Sequence, residues 1–481
     1  MPASRALGLN TFLAMLAGRA SVLASASLRR GGTSLPGLVA LHVEPHVVRQ
    51  LASQLARGTM VIAGTNGKTT TAALTAAALR AGGQHVVHNR AGSNMMRGIA
   101  TALLRQSTIM GRVLNASQLG GLFEVDEAAL PAVLGEVQPK VVLLTNLFRD
   151  QLDRYAEIAT TAERWREAIG HLPTGSVLVL NADDPLIASL AGSDEQPAMY
   201  YGVESWDGSL PRDHVDPALS ADSLFCPRCA VSLRFTLLAY AHLGHYACPA
   251  CGFGRPRPDV SAIVDSAGPE SSTIRLRFAG AEASCHIALP GRYNAYNAVA
   301  AVAAAVARGV PLHVAAAAVA AAPGAFGRAE TVQVAGRTVR LYLIKNPTGA
   351  DEVFRVAAQG QRSGELLLLL SDNAADGEDV SWIWDAQLEL LLPWHGYVVC
   401  GGTRAEDMAL RLKYAGHGEP VTVLPRDVAQ AVRHSLALGK DSGTGTDGGS
   451  LTILATYTAM LAARSTLARD GHLQQYWRTL Q

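Results

Sequence analysis

Seven residues constrain this chain more than any others: Gly64-Thr65-Asn66-Gly67-Lys68-Thr69-Thr70. The apolar stretch Met60-Val61-Ile62-Ala63 runs into them, and a helical pattern over 69–81 leaves them. A strand that turns through glycines into a helix aims backbone N–H groups and the positive helix end at one spot, where a phosphate can sit. In such a turn Lys68 meets the β- and γ-phosphates, and the Thr69 hydroxyl binds Mg²⁺. The general phosphate loop has a further glycine five residues before its second one. Ile62 stands there, which leaves the shorter form G-T-x-G-K-T-T.

A β-turn-α unit of this kind belongs to an α/β protein, and the rest of the chain agrees. Further buried-strand runs at 141–145, 176–180, 339–344, 366–370 and 397–400 are separated by helix-length segments, which predicts parallel sheets. With 481 residues, 49% of them hydrophobic, the chain divides into more than one domain. The expected division is a helical segment over 1–50, a nucleotide domain over 51–324 that ends at Pro323-Gly324, and a second Rossmann-like α/β domain over 325–481. Within the first segment, Leu13, Leu16, Ala20 and Leu23 recur at helical spacing and predict an amphipathic surface helix. Forty-one basic residues against forty acidic ones give no overall field for nucleic acid or an anionic membrane, so an anionic ligand must be held locally. Lysine is scarce: only Lys68, Lys140, Lys345, Lys413 and Lys440.

A stretch rich in Pro, Cys and Gly interrupts the first domain. Cys226-Pro227-Arg228-Cys229 and Cys248-Pro249-Ala250-Cys251 are separated by 18 residues, the spacing of two knuckles forming a tetrahedral Cys₄ zinc site. A closed Cys₄ site has no open coordination position, so this Zn²⁺ folds a small ribbon, about 222–256, and does no chemistry. A redox dithiol is the alternative reading. Cys285 and Cys400 lie in apolar runs and read as core residues. So few cysteines in so long a chain suit a reducing compartment, hence the cytoplasm.

The short phosphate loop resembles that of the Mur ligase superfamily, which includes folylpolyglutamate synthase. Other stretches resemble family elements in the same order. Glu124, in Phe123-Glu124-Val125-Asp126-Glu127, resembles the Mg²⁺-binding glutamate, although by itself it also reads as part of a surface acidic cluster. Asn181-Ala182-Asp183-Asp184-Pro185 resembles a turn near the nucleotide. Gly291-Arg292-Tyr293-Asn294-Ala295-Tyr296-Asn297 resembles a helix start whose first asparagine faces adenine, and Phe326-Gly327-Arg328-Ala329-Glu330 an element whose arginine reaches the γ-phosphate. The resemblance thus implies ATP held by residues 64–70 (Gly64, Thr65, Asn66, Gly67, Lys68, Thr69, Thr70) with Asp183, Asn294 and Arg328, and Mg²⁺ held by Thr69 and Glu124.

The chain also departs from the amino-acid ligases of that superfamily. In Asp150-Gln151-Leu152-Asp153-Arg154-Tyr155 a glutamine replaces the histidine that binds a second metal, and no lysine lies between Lys140 and Lys345 to be carbamylated. About 60 residues precede the phosphate turn, fewer than a nucleotide-sugar-binding domain needs. Lys345 and its neighbours stand where those ligases place an aspartate near the incoming amino acid, so the nucleophile is not an ordinary amino acid.

A Cys₄ ribbon in a Mur-type middle region resembles the MurT branch, the ligase subunits of lipid II isoglutaminyl synthase. The most specific likeness is Ser371-Asp372-Asn373-Ala374-Ala375-Asp376-Gly377-Glu378-Asp379-Val380-Ser381-Trp382-Ile383-Trp384-Asp385. This resemblance implies a cytoplasmic enzyme acting on a lipid-linked peptidoglycan precursor at the inner membrane face, with Lys68, Arg328 and Lys345 at the reacting groups. It also implies a partner, a GatD-like glutamine amidotransferase that releases ammonia. The carboxylate completing the partner's triad falls on Asp379, for which a helix-cap role is the alternative. The rival readings are a stand-alone amino-acid ligase of the Mur or folylpolyglutamate type and a non-catalytic nucleotide-binding scaffold.

Overall fold

The computed structural model describes residues 9–27, 34–89, 93–150, 158–191, 196–206, 222–322, 330–360, 364–392, 394–418, 420–438 and 450–473. Helices Leu9–Ser27, Leu35–Val43 and Val47–Ala52 come first. The first is helical as the spacing predicts, but it buries the other face. Thr11, Ala14, Met15 and Gly18 point inward, while Leu13 and Leu16 remain 43% and 50% exposed.

Strand Thr59–Ala63, buried at every residue, sits inside a nine-stranded sheet. The order across it is Ala281–Ile287, Ser272–Phe278, Val260–Ala267, Ala198–Trp206, Val177–Asn181, Val141–Leu144, Thr59–Ala63, Leu119–Glu124 and His85–His88. From Val260–Ala267 to His85–His88 all pairs are parallel, as the continuous apolar runs require when helices cover both faces. The expected parallel sheet is extended by the remaining two strands. They join antiparallel, the last pair through the two-residue turn Ala279-Gly280, where both residues have positive φ.

Helix Arg292–Ala307 is buried along nearly its whole length, and its alanines let it lie close against helix Lys68–Ala81. The second domain has strand order Glu330–Val334, Arg337–Leu343, Leu451–Ala455, Glu365–Leu369, Val398–Gly402 and Val421–Pro425, parallel except for the first pair. The expected boundary near Pro323-Gly324 lies outside the described residues.

The ribbon forms a separate hairpin, Arg234–Tyr240 with Leu243–Ala247. Its small core holds Leu233, Phe235, Tyr246 and Phe253 with Cys226 and Cys248. What fastens it to the sheet is Asp183. This carboxylate is fully buried and accepts from Arg255 Nε at 2.5 Å, Tyr296 Oη at 2.7 Å and the Val203 N–H at 2.8 Å. One side chain thereby joins the ribbon's outgoing arm, the alanine-rich helix and a sheet strand. Burial works against the charge of Arg255, but Asp183 and Glu204 hold it on the guanidinium. Asp183→Ala removes the buried partner and leaves Arg255 only Glu204, which is 42% exposed, so the cost approaches the about 3–5 kcal/mol of breaking a buried pair. Urea unfolding should show a loss of that size, and unchanged stability would remove Asp183 from this role.

Candidate functional site

Two glycines shape the phosphate turn, for steric as well as conformational reasons. Gly64 has φ +145°, and a Cβ there would lie 2.0 Å from Thr145 Oγ1. Gly67 has φ +83°, and its Cβ would lie 2.0 Å from Asn297 Oδ1. The neighbouring strand end clasps the turn. The Asn66 N–H donates to Asn146 Oδ1 at 2.8 Å, the Thr65 N–H to Asn146 O at 3.0 Å, and Thr65 Oγ1 to Phe148 O at 3.2 Å.

The register of parallel strands brings the chemistry to this turn, at the carboxyl ends where α/β proteins place their ligands. Ile62 pairs with Glu124, and Glu124 Oε1 accepts from Thr69 Oγ1 at 2.8 Å. A hydroxyl beside a carboxylate is the hard-oxygen pair that suits Mg²⁺. Lys68 is almost fully buried, and its Nζ donates to Gly64 O at 2.6 Å, Thr65 O at 3.2 Å and Glu127 Oε2 at 2.7 Å. From the second domain, Lys345 Nζ donates to Asp150 Oδ2 at 2.5 Å. Burial opposes the charge of Lys68, yet Glu127 with Asp126 and Asp150 lifts its pKa above the ordinary lysine value. Burial likewise pushes Glu127 up, but Lys68 and Lys345 bring it below the usual carboxylate range. For Asp150 burial prevails and the pKa rises, although Lys345 opposes it.

Asn346 completes the meeting of the two domains. Its amide exchanges hydrogen bonds with that of Asn66 at 3.3 and 3.0 Å, while its Oδ1 caps helix Pro347–Gly360 through the Gly349 N–H at 2.8 Å. Between the domains opens a cleft of ≈ 590 Å³, lined by Asn66, Gly67, Thr70, Tyr240, Tyr293, Asn297, Lys345, Thr348 and Glu352 among others. Sequence reasoning passed over Glu127, Asn346, Tyr240 and Glu352. Asn294 is buried behind this lining and bonds to Pro290 O at 2.8 Å and Asn297 Nδ2 at 3.2 Å; Asn297, one turn on, is the asparagine that faces the cleft. Asp183, read from the sequence as a nucleotide contact, turns its oxygens to Arg255, Tyr296 and Val203. Arg328 lies outside the described residues, as do 151–157.

The four ribbon cysteines place their Sγ atoms within 4.8 Å of one another, with Cys226–Cys251 and Cys229–Cys248 both at 3.5 Å. Thiolates about 2.3 Å from a tetrahedral zinc lie about 3.8 Å apart, so this set fits Zn²⁺. The ribbon also contributes to the cleft, through Tyr240. Buried His242, two residues on, packs on Phe148 with ring centroids 4.8 Å apart and faces Asp184 Oδ2 at 3.4 Å.

In the second-domain acidic block, most acids are engaged within the chain. Asp372 binds Thr403 and Arg404, buried Asp376 binds Thr458, and Asp385 binds Arg149. Asp379 is exposed and accepts from the Ser381 N–H at 2.8 Å and Ser381 Oγ at 2.9 Å, which lowers its pKa. Nearby Trp384, 48% exposed, meets Tyr414, 72% exposed, edge to face at 5.6 Å.

A glycine turn with lysine, threonine and a carboxylate at the carboxyl ends of parallel strands, closed by a second α/β domain, defines a ligase of the Mur type. Two family models divide the chain accordingly: Mur ligase middle domain over 62–226 and MurT ligase C-terminal over 343–460. The lipid II isoglutaminyl synthase (glutamine-hydrolyzing) subunit MurT of Streptococcus pneumoniae is 35% identical, covering 96% of this chain and 98% of that one. Its Staphylococcus aureus counterpart is 33% identical over 86% and 90%. A pseudomurein peptide ligase type C from Methanothermus fervidus shares the fold, with TM-score 0.64 at 20% identity, covering 86% and 79%. The chain belongs to the MurT family and is a carbon–nitrogen ligase subunit.

Glu352 supplies a test of the cleft's dryness. Burial raises its pKa against the pull of Arg292 and Arg355. A carboxyl whose folded pKa is raised contributes its full stability below the ordinary value and loses it as pH rises through the raised one. Glu352→Gln removes that loss. Denaturant unfolding should therefore show the variant gaining on the parent between pH 5 and pH 8, and a variant that falls behind at pH 8 would mean that the carboxylate is well solvated or paired.

Proposed function

We propose that this chain is the ATP-dependent ligase that converts the α-carboxylate of D-glutamate in a lipid II-type precursor to the amide, giving D-isoglutamine. The observation that carries the reading is the meeting of Lys68 and Lys345, one from each domain, beside the Thr69–Glu124 pair at the phosphate turn. A carboxylate is a poor electrophile. One of its oxygens takes the γ-phosphoryl group of ATP, the bond between the γ-phosphorus and the bridging oxygen breaks, and ADP leaves. Ammonia then attacks the acyl carbon, a C–N bond forms, phosphate departs and the nitrogen sheds a proton. Charge grows on the transferring group, and Lys68, Lys345 and Arg328 are the cations that neutralise it. Thr69 and Glu124 would hold Mg²⁺, which adds further positive charge there when bound.

Ammonia is scarce at neutral pH, and the relatives' own name makes them subunits of a glutamine-hydrolyzing enzyme. The reading therefore includes a GatD-like amidotransferase docked on the second domain, with this chain working in the cytoplasm. Asp379 supports that placement: it is exposed, and it accepts hydrogen bonds from Ser381 two residues away. A carboxylate there can orient the partner's catalytic histidine. The exposed pair Trp384 and Tyr414 adds apolar surface of the kind interfaces bury.

The test is mass spectrometry of the lipid-linked muropeptide after incubation with ATP, Mg²⁺ and either ammonium or glutamine plus the partner. Both donors should replace OH by NH₂, with glutamine inactive when the partner is absent. Asp379→Asn should leave ammonium-driven amidation intact and cut the glutamine-driven rate on the order of 10⁴-fold, as when a histidine loses its orienting carboxylate. Incorporation of an amino acid would favour a stand-alone ligase, and ATP binding without turnover a scaffold.

A further inference from the structure

The balanced total of 41 basic and 40 acidic residues conceals a strong asymmetry. Residues 1–123 carry twelve Arg and Lys and a single acid, Glu44, a net charge of +11; residues 124–481 carry −10. Within the positive part, Arg97, Arg105 and Arg112 are exposed, and among the described residues none of them forms an ion pair.

This same part exposes apolar side chains. Helix Leu9–Ser27 presents Leu9, Leu13 and Leu16, at 73%, 43% and 50% exposure, along one stripe of i, i+4, i+7 spacing. Its other face is already packed inside, so the stripe is not a core face turned outward by mistake. Helix Leu35–Val43, packed alongside, exposes Leu35 and Leu38. The 108–114 loop lies against the same helices through a hydrogen-bond chain. Thr11 Oγ1 donates to Gln50 Oε1 at 2.6 Å, Gln54 Nε2 donates to both Gln50 O and Gly111 O, and Arg19 donates to Ser107 O. Met110, at the tip, is 62% exposed.

We infer that this face is a membrane-docking surface for a bilayer rich in anionic lipid. The inference deepens the functional reading and rests on it: a substrate with a prenyl tail must be met at the membrane surface. Exposed leucines on two helices, and exposed arginines on the helix Met96–Arg105 that packs against both, combine the two attractions such in-plane binding uses, apolar burial and charge. Among the described residues no helix is long and apolar enough to cross a membrane, which leaves in-plane contact. The positive charge also orients the molecule. Its negative remainder turns away from an anionic surface, and that remainder contains the second domain with Asp379.

Co-sedimentation of the full chain with vesicles tests this. Vesicles of phosphatidylglycerol and phosphatidylcholine in equal parts should carry the protein down, pure phosphatidylcholine vesicles should do so weakly, and added salt should release it. An arginine near an anionic surface contributes roughly fivefold to binding, so Arg97→Glu/Arg105→Glu/Arg112→Glu should lose at least about 100-fold. Leu13→Asp/Leu16→Asp should abolish pelleting. With ammonium as nitrogen donor, that variant should amidate a water-soluble, short-prenyl substrate at the parent rate and fail only on substrate embedded in vesicles. Three outcomes would overturn the inference: no pelleting with anionic vesicles, equal pelleting with both compositions, or a dimer in light scattering that Leu13→Asp/Leu16→Asp splits. Failure of the parent protein on both substrates would instead strike the functional reading.

Discussion

Two cations and two anions, one pair buried and the other half-buried, together hold this molecule in its working form. Lys68 and Glu127 come from the first domain, and Asp150 at the edge of the same domain receives Lys345 from the second. Any one of them buried alone would cost several kcal/mol, whereas the balanced set satisfies its own charges. The cluster fixes the conformation of the phosphate turn, because Lys68 also donates to Gly64 O and Thr65 O. It fixes the domain closure too, since Lys345 and Asn346 reach Asp150 and Asn66 only when the second domain is seated. A phosphate entering the turn meets cations that are already in place, so little reorganisation is left for the moment of reaction.

The cysteine ribbon and the acidic block, which read from sequence as separate devices, are joined to this centre. Arg149 donates to Asp222 at the ribbon's entry at 2.5 Å and to Asp385 of the block at 3.2 Å. One guanidinium therefore spans the phosphate domain, the ribbon and the loop that bears Asp379. The ribbon also sends Tyr240 into the cleft, so folding the insertion shapes the wall of the reaction chamber. A metal held by the four cysteines would in this way also steady that wall.

How much of this is legible in the sequence follows from what each feature demands. The phosphate turn is legible because its backbone requires glycine at 64 and 67, and a register of parallel strands brings Glu124 beside Thr69. Four cysteines are legible because metal geometry restricts their spacing. The charged cluster is not, because Lys68 and Glu127 lie 59 residues apart, and Lys345 and Asp150 lie 195 apart. Glu127 in particular looks like part of a solvated acidic run until Lys68 is set against it. Asp183 carries a tie that the motif does not announce, since a turn of the nucleotide type here also anchors Arg255 from 72 residues away. The face of the first helix that the core takes is not legible for a further reason: both of its sides are apolar, and periodicity cannot choose between them.

The central claim is that the lysines of this cluster bring a carboxylate and the γ-phosphoryl group of ATP together before nitrogen arrives. Positional isotope exchange addresses it directly. ATP carrying ¹⁸O in the β,γ-bridge is incubated with the protein, Mg²⁺ and the lipid-linked acceptor, with no ammonia source. Reversible phosphoryl transfer lets the freed β-phosphate rotate, so the label should move into non-bridging positions, and only when the acceptor is present. A bridge that keeps its label throughout, while amidation proceeds normally once ammonium is added, would contradict the account.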